Sequence, residues 1–218
     1  MNDLIPFSIA LRERSSSAHS GSESAGFMSD LMNGQGTRDD YIALVAQHWF
    51  IYAALEGAAE RMRRDPVASC FISDKLTRLP ALEIDLEYLV GPKWRERITP
   101  LPTAQRYVDR IQRVGATWAG GFVAHHYTRY LGDLSGGQFI GRLMQRRFGF
   151  ETNGIGFYLF DDIADPKQFK EFYREQLDAA PWDDAEKERV IDEVLLAYRF
   201  NTELFEDLAR AKSTAVVA

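Results

Sequence analysis

The stretch Tyr127-Thr-Arg-Tyr-Leu-Gly-Asp-Leu-Ser-Gly-Gly-Gln138 places three glycines inside a segment whose pattern otherwise predicts helix. Gly132 and Gly136 are four residues apart and share one helical face, and Gly137 lies beside them. Each interior glycine costs about 0.8–1 kcal/mol of helix stability relative to alanine, so the three together cost about 2.5–3 kcal/mol. The segment must therefore contain something that offsets this cost.

Three explanations of these glycines are open. A flat ligand can lie directly against the backbone, where a side chain would collide with it. Consecutive glycines also permit a helix to bend. The third is close contact between helices through small residues, which spacing alone favours by roughly two to one. Asp133 and Ser135 lie between the glycines, and Arg129 lies one turn earlier. Because acids and hydroxyls are rare in dry packing seams, this composition favours a ligand.

On both sides of this stretch, periodic apolar residues predict helices. Thr37 and Asp40 form a predicted capping box. The helix that follows has an apolar face made of Tyr41, Leu44, Val45, His48, Tyr52 and Leu55. A second helix ends at Gly91-Pro92, and its stripe consists of Leu76, Leu79, Leu82, Leu86 and Leu89. Thr103 is predicted to cap a third helix, whose apolar residues are Tyr107, Ile111 and Val114.

The segment with the glycines is predicted to be helical from about Trp118 to Phe148, and residues 149–162 to form an ordered loop. Asp165-Pro166 and Pro181-Trp182-Asp183 then begin two further helices. The last has an apolar face made of Ile191, Val194, Leu195, Tyr198, Phe205 and Leu208. We predict an all-α fold with one domain over residues 1–218 and a flexible tail after about residue 211.

The composition, with 45% hydrophobic and 27% charged residues, suits a globular protein. The net charge of −6 argues against nucleic acid as a partner. A single cysteine, Cys70, cannot form an internal disulfide or a cysteine cluster, and we expect it to be a reduced, small apolar residue. No signal-like stretch is visible, and no run approaches the ~20 apolar residues of a membrane span. We therefore expect a cytoplasmic location without a membrane partner.

Several common sites are excluded by spacing. No histidine follows an acid by three residues, as di-iron bundles require, and no HExxH pattern is present. His125 and His126 are adjacent, so they point in different directions and cannot share a ligand face. Leu159 occupies the place of the third glycine of a dinucleotide fingerprint that would begin at Gly154. Walker and CxxCH motifs are also absent.

Residues 130–138, Tyr-Leu-Gly-Asp-Leu-Ser-Gly-Gly-Gln, resemble the distal-helix signature of the haem oxygenases. Further similar segments are residues 27–28, 52–56, 123–127, 170–174 and 201–208. The resemblance implies a single helical domain that holds haem b between a proximal and a distal helix. It also implies oxidative opening of haem, most favourably at the α meso carbon, to biliverdin, carbon monoxide and ferrous iron. The reaction would consume three O2 molecules and seven electrons.

On the proximal side, the resemblance assigns His19 as the axial iron ligand. Glu23, one turn later, would orient the imidazole by a hydrogen bond. The serines at positions 15–17 depart from the more charged sequence usual in the family. The residues that match those pairing with the haem propionates are Arg12, Tyr127, Lys170 and Arg174.

On the distal side, Gly132 and Gly136 match the haem contacts, with Ser135 between them as a further haem-binding position. Asp133 matches the acid that delivers protons through water to dioxygen. Its predicted supporting network consists of Arg129, Tyr52 and Asn201. For Tyr52, plain core packing is nearly as well supported.

A basic patch is predicted from Arg142, Arg146, Arg147, Lys170 and Arg174. Such a patch suits an acidic electron donor, either ferredoxin with its reductase or a flavoprotein reductase. Two alternatives to an oxygenase stay open at this point. One is a haem carrier or sensor that leaves its ligand intact, and the other is a helical interaction protein without a ligand.

Overall fold

The computed structural model describes residues 5–217, apart from the side chains of Glu23 and of residues 214–217. Over this range the chain is helical and contains no strand. The α-helices of the described chain are α1 (Phe7–Glu23), α2 (Gly26–Met32), α3 (Arg38–Met62), α4 (Leu79–Val90), α5 (Trp94–Arg97), α6 (Pro102–Thr117), α7 (Ala119–Gly132), α8 (Gln138–Phe148), α9 (Pro166–Ala179) and α10 (Asp184–Val217). The predicted all-α fold is confirmed.

Shorter helical pieces join these elements. A π-helix, Asp133–Gly137, connects α7 to α8 without a break in the helical path. The 3-10 helices are Ala68–Phe71, Asp74–Leu76 and Gly156–Tyr158. The last of these belongs to the loop predicted for residues 149–162. The three glycines of the stretch 127–138 are thus helical, but two of them, Gly136 and Gly137, lie in a π-helix, which is wider than an α-helix.

Several local signals act as the sequence predicts. The Thr37 hydroxyl accepts from the Asp40 N–H at 3.1 Å, and the Asp40 carboxylate accepts from the Thr37 N–H at 2.6 Å, so the capping box exists. All six residues of the apolar face predicted for α3 are buried. Asp165 caps α9 by accepting from the N–H groups of Lys167 and Gln168. Gly91 ends α4.

Three details differ from the sequence-based expectation. Thr103 does not cap α6, because Pro102 takes the first helical position, for which its fixed backbone angle is well suited. The Thr103 N–H instead donates to the Asp207 carboxylate at 2.9 Å. Leu76 is buried but lies in a 3-10 helix that precedes α4. Cys70 is a free thiol at the surface and not part of the core.

The core is organised around α3, which packs against α4, α6, α7 and α10. This helix is long and apolar enough to cross a membrane by length and composition, a test that the buried core helix of a globular protein also passes. Of its most apolar window, 56% is buried inside the protein, as in a core helix.

Helices α7 and α10 pack against most of the remaining elements. Helix α7 is buried along nearly its whole length and packs against α10, α6 and α3. Helix α10 crosses α1, α2, α6 and α7, and its backbone is helical as far as Val217. The flexibility predicted after about residue 211 stays a prediction.

Candidate active site

One cavity, of about 120 Å³, is lined by residues from α1, α2, α3, α7, the π-helix and α10. We call its α7 and π-helix residues the distal wall; they are Thr128, Arg129, Gly132, Asp133, Gly136 and Gly137. We call its α1 and α10 residues the proximal wall; they are His19, Ser22, Tyr198, Asn201 and Phe205. Further lining residues are Met28, Leu44, His48, Ile140 and Tyr158. Residues that the sequence separates by more than 100 positions therefore share one site.

The glycines of the distal wall have different environments. A Cβ atom built at Gly132 would meet nothing within 4 Å, so this backbone faces open space. A Cβ at Gly137 would lie 3.2 Å from Cδ1 of Tyr158. A Cβ at Gly141, in α8, would lie 2.9 Å from the Cβ of Tyr158. The open-face and close-packing explanations thus apply to different glycines. The π-helix agrees with the remaining explanation, a bend in the helix, because π-bulges change the direction of a helix.

The acid between the glycines is at the centre of a buried hydrogen-bond network. Asp133 accepts a hydrogen bond from the Tyr52 hydroxyl. Arg129 donates through Nε to the Tyr52 oxygen at 3.3 Å and through Nη1 to Oδ1 of Asn201 at 3.0 Å. The structure therefore brings together the four residues that the sequence grouped as a network. Tyr52 is fully buried as well, so it both packs in the core and bonds to Asp133.

The charges in this network influence one another strongly. Burial raises the pKa of the Asp133 carboxyl above its usual range, although Arg129 and the Tyr52 hydroxyl act in the opposite direction. Burial alone would lower the pKa of Arg129, but Tyr52 and Asp133 more than compensate and raise it. Arg129 is thus a fixed cation, and Asp133 is a buried carboxyl with a raised pKa. Carboxyl groups with perturbed pKa values are typical of sites that handle protons.

The proximal wall contains the predicted iron ligand. His19 lines the cavity, and its ring packs edge-on against Tyr198 with centroids 5.6 Å apart. Helix α1 is continuous through the serines at 15–17, and the buried Ser15 hydroxyl donates to the Leu11 carbonyl at 2.8 Å. The side chain of Glu23 lies outside the described residues, so its predicted bond to His19 stays a prediction.

The predicted propionate residues lie outside the cavity lining. Lys170 Nζ donates to the Ser135 hydroxyl at 2.9 Å and lies 3.4 Å from the Leu134 carbonyl. Burial raises the pKa of Tyr127, while the positive charges of Arg174 and Arg12 lower it, which places both cations near this hydroxyl. Burial, with the charge of Arg174 as a smaller cause, lowers the pKa of Lys170. These residues form a basic group next to the distal wall.

Sequence reasoning missed two polar groups of the cavity. The sequence placed His48 only on the apolar face of a helix, but its Nδ1 is buried without a hydrogen-bond partner among the described residues. The Tyr158 hydroxyl is also buried without a hydrogen-bond partner among the described residues. The position of this polar residue on an apolar helix face was a signal that could have identified His48 as a cavity residue. Nothing in the loop sequence distinguished Tyr158 from its aromatic neighbours.

The adjacent histidines of α7 have separate partners, as their spacing predicted. Nε2 of His125 lies 2.8 Å from Glu193, which also pairs with Arg110. Nδ1 of His126 lies 2.9 Å from the Tyr173 hydroxyl. The ion pair between Arg110 and Glu193 was not predicted, because its members lie on different helices.

Residues 5–207 match the family described as "Heme oxygenase". The chain belongs to the haem oxygenase family. Human "Heme oxygenase 1" is 41% identical over 202 residues, which cover 91% of this chain and 70% of the relative. "Heme oxygenase 1" of the cyanobacterium Synechocystis is 37% identical over 198 residues, which cover 91% of this chain and 82% of the relative.

A solved structure extends the comparison to the fold. The crystal structure of heme oxygenase-1 from Synechocystis in complex with heme superposes with a TM-score of 0.89 and 35% sequence identity, and covers 98% of each chain. The resemblance in residues 130–138 was therefore correct, and so was the single-domain helical fold that it implied. Degradation of haem to biliverdin is the function of this family.

Proposed function

We propose that this chain opens haem b at the α meso carbon and forms biliverdin, carbon monoxide and ferrous iron, with O2 as the oxidant. The observation that carries the proposal is the position of Asp133. This acid lies next to the open backbone of Gly132, in the same cavity as the imidazole of His19. An oxygenase needs a proton-handling group on one side of its substrate and an iron ligand on the other.

The residues of the cavity fit a haem in chemistry. An imidazole suits iron, and the apolar residues Met28, Leu44, Ile140 and Phe205 suit a porphyrin. The open space at Gly132 lets a flat ring approach the backbone, where any side chain would intervene. At about 120 Å³ the cavity is smaller than the roughly 300–1,000 Å³ typical of ligand sites, so its walls separate when haem enters.

Each wall has a separate task in this proposal. His19 binds the iron, and Glu23 orients its ring. The iron of the substrate supplies the activation of dioxygen. Asp133 holds water by charge-assisted hydrogen bonds and passes protons through it towards the face of haem that reacts. Arg129, Tyr52 and Asn201 fix the carboxylate in place through the bonds described above.

The basic group next to the distal wall binds the propionates. Arg12, Lys170 and Arg174 supply positive charge, and Tyr127 supplies a hydroxyl. In the described structure Lys170 bonds to Ser135, so this lysine exchanges the hydroxyl for a propionate when haem binds. A salt bridge of this kind fixes the rotation of haem about the iron, which selects one meso carbon.

The electrons come from an acidic donor, either ferredoxin with its reductase or a flavoprotein reductase, in the cytoplasm. Arg142 and Arg146 of α8 are exposed and available to such a partner. Arg147 is half-buried and stacks on Phe148, so it contributes less than the sequence suggested. Because charged surfaces steer association, turnover should slow as salt is added.

Reconstitution tests the proposal directly. The purified chain is given haem, a reductase system and air, and the products are identified by chromatography. We expect a Soret band on haem addition, followed by its loss and the appearance of one biliverdin isomer, the α form. A stable Soret band without product would identify a haem carrier and contradict the proposal. Absence of the band would favour an interaction protein.

A further inference from the structure

Two buried polar atoms in the cavity lining have no hydrogen-bond partner among the described residues. They are Nδ1 of His48, whose residue is 6% exposed, and the hydroxyl of Tyr158, whose residue is 2% exposed. Both residues line the cavity that contains Asp133. A buried polar atom without a partner destabilises a protein, so its presence in a folded chain requires an explanation.

The surrounding backbone fixes the position of Tyr158. The buried carboxylate of Asp85 accepts from three N–H groups of its loop, those of Gly154 at 2.7 Å, Gly156 at 3.0 Å and Phe157 at 2.8 Å. Gly137 and Gly141, one helical turn apart, leave room for the ring against the distal helix. The hydroxyl is therefore held at the cavity by a fixed loop and a matching groove.

His48 packs against Phe157, which in turn packs against Tyr158. His48 lies on α3 one turn before Tyr52, and its ring centroid is 5.0 Å from that of Phe157. Burial, with Arg129 as a smaller cause, lowers the pKa of His48 well below its usual range, so the ring is neutral. A neutral imidazole has one donor and one acceptor nitrogen, so Nδ1 can either donate to or accept from a small polar ligand, depending on the tautomer.

Water is the ligand that this geometry suits. A buried site holds a water molecule when it offers about 10–15 Å³ and two to four polar partners. The cavity has about 120 Å³, and its lining offers His48, Tyr158 and the carboxylate of Asp133. A purely apolar porphyrin site would gain nothing from the two unpaired groups.

We propose that His48 and Tyr158 hold ordered water beside Asp133 and are two further positioning residues for the haem reaction. Their water extends the hydrogen-bond network of Tyr52, Arg129 and Asn201 to His48 and to the loop at 156–160. Neither residue touches haem in this proposal. The inference rests on the proposed function, because its water leads to the reacting face of haem.

Fluoride binding to the ferric haem complex tests the proposal, because a fluoride ion on iron accepts hydrogen bonds from distal donors and water. The variants are Tyr158→Phe, His48→Leu and the polar replacement His48→Gln. We expect the first two to weaken fluoride binding by about 3- to 10-fold, which corresponds to one hydrogen bond. His48→Gln should recover part of the affinity. Tyr173→Phe is the control, since its hydroxyl bonds to His126 and does not line the cavity.

Unchanged fluoride affinity in both Tyr158→Phe and His48→Leu, with normal Soret bands, would overturn the inference while leaving the proposed function intact. An equal loss in Tyr173→Phe would overturn it too, because the effect would then be a general one. A measurement without haem separates the two proposals further. If the Tyr158 hydroxyl is hydrated, Tyr158→Phe leaves the Tm of the haem-free protein unchanged or lower. A higher Tm would show a dry, unpaired hydroxyl and would contradict the inference.

Discussion

The distal wall is fixed by hydrogen bonds between buried side chains, whereas helix α1 of the proximal wall packs on α10 through few buried residues, such as Phe7 and Leu11, and has its polar contacts to other helices near the surface. Arg129, Asp133 and Tyr52 are linked to one another and are all buried. Helix α1 is tied to its neighbours by Ser8, which bonds to Asp178, and by the exposed pair of Arg14 and Glu188. It also begins without a side-chain cap.

This difference matches the tasks of the two sides. Proton transfer requires groups held at fixed distances, which a dense buried network provides. Haem entry requires a wall that can move, because the cavity is too small for a porphyrin as it stands. An exposed ion pair contributes only about 0–1 kcal/mol, so displacement of α1 loses little polar bonding and has to overcome mainly its packing against α10. We therefore expect His19, the proposed iron ligand, to lie on the more mobile of the two walls.

Replacing the proposed iron ligand should have a large effect on turnover. We expect His19→Ala to take up haem, because the apolar lining and the basic group remain, but to lose biliverdin formation by about 10²-fold or more. The spectrum should lose the signature of a nitrogen axial ligand, and added imidazole should restore part of the activity. Imidazole added to the wild-type chain serves as the control. An unchanged axial-ligand spectrum in the variant would show that His19 is not the ligand.

Amide hydrogen exchange compares the mobility of the two walls directly. In the haem-free protein we expect amides of α1 to exchange roughly 10²-fold faster than those of α7, because α1 has the fewer buried contacts. Haem should slow exchange in α1 more than in α7. Equal protection of both helices without haem would remove the basis for a mobile proximal wall.

The glycines of the distal wall should respond in opposite directions. Gly132→Ala should raise the free energy of unfolding of the haem-free protein by about 0.5–1 kcal/mol, because the methyl group meets open space and alanine has a higher helix propensity than glycine. Gly137→Ala should lower it by about 1–3 kcal/mol, because the methyl group presses on Tyr158. Chemical denaturation measures both values. If both variants are destabilised equally, Gly132 has a packing role and does not provide an open face.

Acid should weaken the fold partly through His126, a residue of α7. Burial lowers the pKa of His126 to about 3, from an ordinary value of 6.5. Between these values the unfolded chain binds a proton that the folded chain does not, so the free energy of unfolding falls as the pH falls from about 6.5 towards 3. The contribution of one such site is about 1.4 kcal/mol per pH unit.

His126→Phe keeps a ring against Tyr173 and removes this titration. We therefore expect a shallower dependence of the unfolding free energy on pH, by about one proton, whatever the stability at neutral pH. Urea denaturation from about pH 4 to pH 7 provides the slope. An identical slope in the variant and the wild-type chain would show that His126 does not contribute to acid sensitivity.

The sequence predicted the distal side better than the proximal side for a physical reason. Arg129, Gly132 and Asp133 lie within two turns of one helix, so their spacing alone places them together. His19 is separated from them by more than 100 residues, and only resemblance to a family identified it. The helicity of α1 through its serines depends on packing against α10, which local propensity does not contain.

Features that depend on tertiary contacts were not predictable. The π-helix was not expected, because its register is set together with the packing of Tyr158 against Gly137 and Gly141. The unpaired atoms of His48 and Tyr158 became visible only once α3 and the loop were placed beside one cavity. Thr103 failed as a cap because Pro102 began the helix one residue earlier.

The central claim is that Asp133 passes protons to the reacting face of haem, and single-turnover product yield tests it most directly. Asp133→Ala should bind haem nearly as well as the wild-type chain, because His19 and the basic group supply that affinity. Its biliverdin yield should fall by about 10²- to 10⁴-fold, the typical contribution of general acid–base catalysis. Asp133→Asn should lie between, since it keeps hydrogen bonds and loses the charge. Wild-type yield of biliverdin from Asp133→Ala would contradict the account.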